Sequence, residues 1–97
     1  MSTDLRPIAA IRFYGELDVA TIPAMRHVLG RMLGGGPVHL SADLSSVAFI
    51  DASAVGVILA ARRAAAEAGG SLTVQAPSPA VMRVLRVLNL DDALSVG

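Results

Sequence analysis

The sequence predicts an α/β fold built on a small, mainly parallel sheet. Two observations carry this reading. Apolar, β-favouring runs alternate along the chain with runs at helical spacing, and glycine, proline or capping residues separate them. Strand–helix–strand order calls for crossover connections, which set successive strands parallel. The length of 97 residues fits one domain over 1–97, with a single core of modest size.

The elements follow in chain order. Residues 8–14 read as a strand that Gly15 and the acidic pair Glu16 and Asp18 bring to an end. Thr21 is placed to cap a helix, and Pro23 is tolerated in its first turn. Ile22, Met25, Val28, Leu29, Met32 and Leu33 then recur at helical spacing until Gly34-Gly35-Gly36-Pro37 stops them. Val38, Leu40, Ala42 and Leu44 alternate as a strand over 38–44, and a short loop is expected to end in Phe49-Ile50-Asp51.

An alanine-rich helix over about 52–68 buries Val55, Ile58 and Leu59 and turns Arg63 and Glu67 to solvent, with Arg62 snorkelling from its apolar edge. Gly69-Gly70 forms the exit into a strand over 71–75. Ser78 as cap and Pro79 as first residue begin a last helix with Val81, Leu85 and Leu88 on one face. Asn89 suits the left-handed position that follows, and Ala93 to Val96 read as a final short strand. The strands at 8–14 and 38–44 are both expected to be central.

Composition excludes several classes of function. Apolar residues make up 54% of the chain, yet no uninterrupted run approaches the ~20 residues that span a bilayer. The start, Met-Ser-Thr-Asp, shows no signal peptide, and with no cysteine in the chain a cytoplasmic location is expected. Formal net charge is zero, the arginines are scattered, and only Phe13, Tyr14 and Phe49 are aromatic, so nucleic-acid binding has little support.

Catalysis fares no better. Ser53 lacks the Gly-x-Ser-x-Gly frame of a nucleophile elbow, the loop from Leu44 is too long for one, and His27 and His39 are the only candidate bases. The glycine triplet lacks the Gly-Lys-Ser/Thr ending of a phosphate loop. Two histidines without a His-x-x-x-His pair give no zinc site. No catalytic residue, metal or cofactor is assigned.

The most informative stretch is 43–58, Asp-Leu-Ser-Ser-Val-Ala-Phe-Ile-Asp-Ala-Ser-Ala-Val-Gly-Val-Ile. It sets Asp51, Ala52 and Ser53 at a helix start, where free N–H groups and a partial positive charge favour anionic groups. Asp51 alone would serve as an N-cap there. The stretch resembles the signature of the STAS domain in bacterial anti-sigma factor antagonists, roughly Asp-Leu-Ser-x-Val-x-Phe-Ile-Asp-Ser-Ser-Gly-Leu-Gly-Val-Leu. Three further segments match in the family's order: Gly15-Glu16-Leu17-Asp18, Gly69 to Val74, and Ser78-Pro79-Ala80-Val81 with Leu88-Asn89-Leu90-Asp91.

The resemblance implies a STAS-like sheet with helices packed largely on one side. The family's extra N-terminal strand would have only Asp4 to Pro7, and the family's usual C-terminal helix is lacking. Sheet surface that such a helix covers is then open to self-association as a homodimer. The implied function is that of an anti-sigma factor antagonist, which binds an anti-sigma factor, a GHKL-type kinase, and so frees a sigma factor. The family's phosphorylated serine corresponds to Ala52, which has no hydroxyl; the next hydroxyl is Ser53.

Three readings stay open: phosphorylation displaced to Ser53, partner binding without a phosphorylation switch in this loop, or a STAS scaffold subunit of another complex, such as a lipid-transport ATPase system. The expected partner-binding residues are Asp18, Asp51, Ala52, Ser53 and Val55. The two aspartates are expected on one rim, because each follows the C-terminal end of a parallel strand.

Overall fold

A computed structural model describes residues 6–92 and 94. Six elements follow in order: β1 (Ile8–Leu17), α1 (Ile22–Leu33), β2 (His39–Ile50), α2 (Ala52–Glu67), β3 (Ser71–Gln75) and α3 (Pro79–Val87). The three strands form a parallel sheet in the order β1-β2-β3. The expected strand over 93–96 lies outside the described residues apart from Leu94, as do Asp4 and Leu5 of the expected N-terminal strand, whose Arg6 and Pro7 are not part of a strand.

Sheet alternation decides the core. Leu40, Ala42 and Leu44 of β2 and Leu72 and Val74 of β3 are buried on one face, where Ala9, Ile11 and Phe13 of β1 pack beside them. Met25 and Leu29 of α1, Ala54, Val55, Val57, Ile58 and Ala65 of α2, and Val81 and Leu85 of α3 close over that face. Registers Ile8↔His39↔Ser71 and Arg12↔Asp43↔Gln75 put Arg12, His39, Ser41, Asp43, Ser71, Thr73 and Gln75 on the opposite, polar face. There Arg12 Nε pairs with Asp43 Oδ2 at 3.2 Å, and His39 Nδ1 meets Ser71 Oγ at 2.7 Å.

Two strands run further than the sequence suggests. β1 does not stop at Gly15; it passes through that residue at φ +80 and ends at Leu17. β2 does not give way to a loop after Leu44; it continues to Ile50. Its alternation is lost because two bulges are built in. Phe13 opposes both Leu44 and Ser45, and Ala48 is the extra residue between the pairs Gly15↔Val47 and Glu16↔Phe49. Buried positions therefore recur every third residue, at Leu44, Val47 and Ile50, which mimics a loop in sequence. β3 has ended by then, and the α3 cap takes its place beside β2. The Ser78 N–H donates to Leu44 O, and its hydroxyl donates to Val47 O at 2.6 Å while accepting from Val81 N.

Other expectations are also revised. Only β2 is central among the described residues, because β1 pairs on one side only. Thr21 precedes α1 but its side chain makes no cap bond. Its hydroxyl turns back, accepting from Asp18 N at 2.9 Å and donating to Asp18 O at 3.0 Å. Leu88, expected on the buried face of α3, is the exposed C-cap residue. Asn89 takes the left-handed conformation at φ +60.

Candidate functional site

The C-terminal ends of β1 and β2 lie side by side. Leu17 and Ile50 are register partners, and the Asp51 N–H donates to Leu17 O at 3.1 Å. Asp18 and Asp51 are the next residues on each strand, so both begin the same rim of the sheet.

Asp18 shapes the β1–α1 turn. Its Oδ1 accepts from the N–H groups of Ala20 at 3.0 Å and Thr21 at 3.2 Å, which is an Asx-type turn. Asp51 is the sole residue between β2 and α2 and serves as the N-cap. Its Oδ1 accepts from Ala54 N at 2.9 Å and from the Ser53 hydroxyl at 2.6 Å. The Ser53 hydroxyl and the N–H groups of Ala54, Val19 and Ser53 hold the Asp51 carboxyl below its ordinary value, against a smaller opposing effect of burial.

A carboxyl depressed in the folded state contributes stability above its unfolded value and loses it as pH falls through the folded one. For Asp51 that window opens below 3.8. Ser53→Ala removes the largest cause of the depression. The Asp51 carbon resonance should then titrate at higher pH than in the wild type, toward 3.8. An unchanged titration curve would show that the hydroxyl does not bond to the carboxylate in solution.

The expected site residues divide into two groups. Ala52 and Ser53 are exposed, and Asp18 and Asp51 are half-buried on the rim. Val55 is only 1% exposed and packs in the core, so it presents no surface to a partner. One residue of helix is a turn of about 100°, and that turn carries Val55 inward while Gly56 faces out. The exposed apolar neighbours are instead Val19, 71% exposed, and Phe49, 49% exposed. They were not singled out from sequence because the strand was expected to have ended before Phe49.

The short β2–α2 junction also removes one argument against a nucleophile elbow, since no long loop intervenes. The others stand: the glycine frame is absent, His39 is bonded to Ser71 on the polar sheet face, and His27 is exposed on α1. Among the described residues no cluster of His, Cys, Asp and Glu could hold a metal ion, and no helix is long and apolar enough to cross a membrane.

A polar-faced parallel sheet, helices on its other side and a capped loop–helix junction at the rim define a small α/β domain of the STAS type. The family model described as "Mlab, STAS domain" matches residues 2–96, and the chain belongs to that family. It is 25% identical over 102 residues to an anti-sigma-B factor antagonist of Staphylococcus aureus, covering 100% of this chain and 94% of the relative. Among solved structures it resembles the anti-sigma factor antagonist SpoIIAA in its unphosphorylated form, with a TM-score of 0.76 and 26% identity over 94% of this chain and 80% of the other. An anti-sigma factor antagonist from Mycobacterium paratuberculosis gives a TM-score of 0.75 at 25% identity, over 95% of this chain and 78% of that one.

Proposed function

We propose that this chain is an anti-sigma factor antagonist: it binds a cognate anti-sigma factor, of the GHKL kinase type, on the Asp18–Asp51 rim and so releases a sigma factor. The role is a binding one in the cytoplasm and involves no catalysis by this chain. The observation that carries it is the joining of the two signature loops into one surface, in a chain similar to an anti-sigma-B factor antagonist in sequence and to two anti-sigma factor antagonists in structure. An arginine-bearing helix or loop of the partner fits the rim. The two carboxylates add orientation and on-rate more than raw affinity.

The geometry favours binding without a phosphorylation switch in this loop. Ala52 offers no acceptor, and the Ser53 hydroxyl is already donated to the cap carboxylate at 2.6 Å. A phosphoryl group on Ser53 would abolish that donor and set about −1.5 to −2 charges beside Asp51. The alternative, a STAS scaffold subunit of another complex such as a lipid-transport ATPase system, predicts a different partner on the same rim.

Pull-down from native lysate with mass spectrometry separates the readings by naming the partner. An anti-sigma factor should be recovered, with wild-type chain unmodified after incubation with that kinase and ATP. Ala52→Ser should then become phosphorylated. Modification of wild-type Ser53 would restore the displaced switch, and recovery of a transport ATPase would replace the antagonist reading.

A further inference from the structure

Among the described residues β1 pairs only with β2, so its other edge is open over Ile8–Leu17. The backbone shows which residues face that edge. Pro7 O accepts from His39 N at 2.8 Å and Leu17 O from Asp51 N at 3.1 Å, so the odd-numbered residues of β1 turn their backbone groups to β2. Alternation then points the N–H and C=O of Ala10, Arg12, Tyr14 and Glu16 outward. The Arg6 guanidinium reaches the opposite way, donating to Gly69 O just ahead of β3. We infer that the open edge of β1 pairs with the same edge of a second copy of this chain, antiparallel about a two-fold axis at Tyr14, so that two sheets join into one.

Self-complementarity selects this occupant and its register. In an antiparallel pair, residues whose backbone groups face the partner strand stand opposite one another. With Tyr14 opposite Tyr14 of the second copy, Arg12 stands opposite Glu16 on both sides of the axis. The neighbouring registers set Arg12 against Tyr14, or Tyr14 against Glu16. The registers beyond those set Arg12 against Arg12, or Glu16 against Glu16. Aromatic pairs and opposite charges favour a cross-strand contact, and like charges oppose it. Arg12, Tyr14 and Glu16 are all exposed, and Glu16 makes no ion pair among the described residues. Arg12 already meets Asp43, so Glu16 of the second copy completes a row of alternating charge across the joined sheet.

The other face adds an apolar contact. Ile11 and Phe13 are only half-buried and, with Ala24 and Val28 of α1, line an open depression of about 280 Å³ along this edge. In the same register Ile11 falls opposite Leu17 of the second copy, and Phe13 opposite Gly15. A Cβ at Gly15 would meet nothing within 4 Å, which leaves room for an aromatic ring to cover the glycine. Antiparallel pairing also sends the two Asp18–Asp51 rims to opposite ends of the joined sheet, so the dimer presents one at each end.

The chain contains no cysteine, so single cysteines report the pairing directly. In the purified full chain, Tyr14→Cys should form an intermolecular disulfide under mild oxidation, because opposed residues of a bonded antiparallel pair have Cα atoms about 5.5 Å apart. Arg12→Cys should not, since its two copies would stand four residues apart along the strands, ~13 Å. Sedimentation velocity over a concentration series should show a monomer–dimer equilibrium for the wild-type chain. Arg12→Glu and Glu16→Arg should each weaken association at least about tenfold while keeping a cooperative melting transition. An equimolar mixture of these two variants should regain wild-type affinity, because every like-charge contact becomes an opposite pair. A wild-type chain that stays monomeric at every concentration would overturn the inference. So would equal crosslinking through Arg12→Cys, or a mixture no tighter than its components. Association that both charge reversals leave intact would place the contact between copies on another surface.

Discussion

Gly70→Ala should destabilise the fold by at least about 3 kcal/mol and lower the melting temperature by roughly 15 °C. A Cβ at Gly70 would lie 2.0 Å from Val38 O and 2.6 Å from Val38 N, both backbone atoms that no rotamer change can move. The surroundings are equally committed. Gly70 N donates to Ala65 O at 2.8 Å, and Ser71 N donates to the same Val38 carbonyl at 2.9 Å to start the β2–β3 pairing. Relief of the clash therefore requires the exit of α2 or the start of β3 to move. Gly35→Ala serves as the control, since a Cβ there meets nothing within 4 Å. Thermal denaturation of the two variants checks the claim; equal melting temperatures would show that the α2–β3 junction is looser than the close approach implies.

The second large effect is on binding. Ser53→Asp should weaken the complex with the anti-sigma factor at least about a hundredfold while the fold persists. The new carboxylate replaces a hydroxyl that donates to Asp51 Oδ1 at 2.6 Å, so the rim gains a charge and loses a donor at once. A negative group in the first turn of a helix is favoured by the free N–H groups there, which limits the damage to α2. Affinity by calorimetry and the melting curve should therefore separate. Asp18→Asn is the companion variant, because the amide oxygen can still accept from Ala20 and Thr21 N–H groups while the charge is gone. Unchanged affinity in both variants would place the interface off the rim.

Much of the fold was legible because its signals are local. The start of α2 at Ala52, the Ser78 cap and the left-handed Asn89 each depend on a residue and its near neighbours. The strand ends were not legible, because a bulge breaks the alternation by which a strand is recognised. Gly15 and the Leu44–Val47–Ile50 spacing looked like termination when they marked bending. Thr21 had a suitable side chain for a cap, but its hydroxyl bonds back to the Asp18 backbone instead.

At the site, the shared rim for Asp18 and Asp51 followed from parallel topology, whereas the placement of Val55 did not. That placement depends on the rotational phase of α2 against the sheet, which packing sets.

The bulges of β2 carry a consequence for how this chain can vary. An ordinary central strand cannot gain or lose a residue without turning its buried side chains outward. β2 already holds two surplus residues, at Ser45 and at Ala48, ahead of a junction only one residue long. Removal of either would restore regular pairing at that point and leave Ile50 opposite Leu17, with Asp51 still at the rim. The fold thus contains a length adjuster next to its candidate contact surface. Descendants of one scaffold can therefore gain or lose a residue between 43 and 50 while the rim and the hydrophobic interior stay where they are.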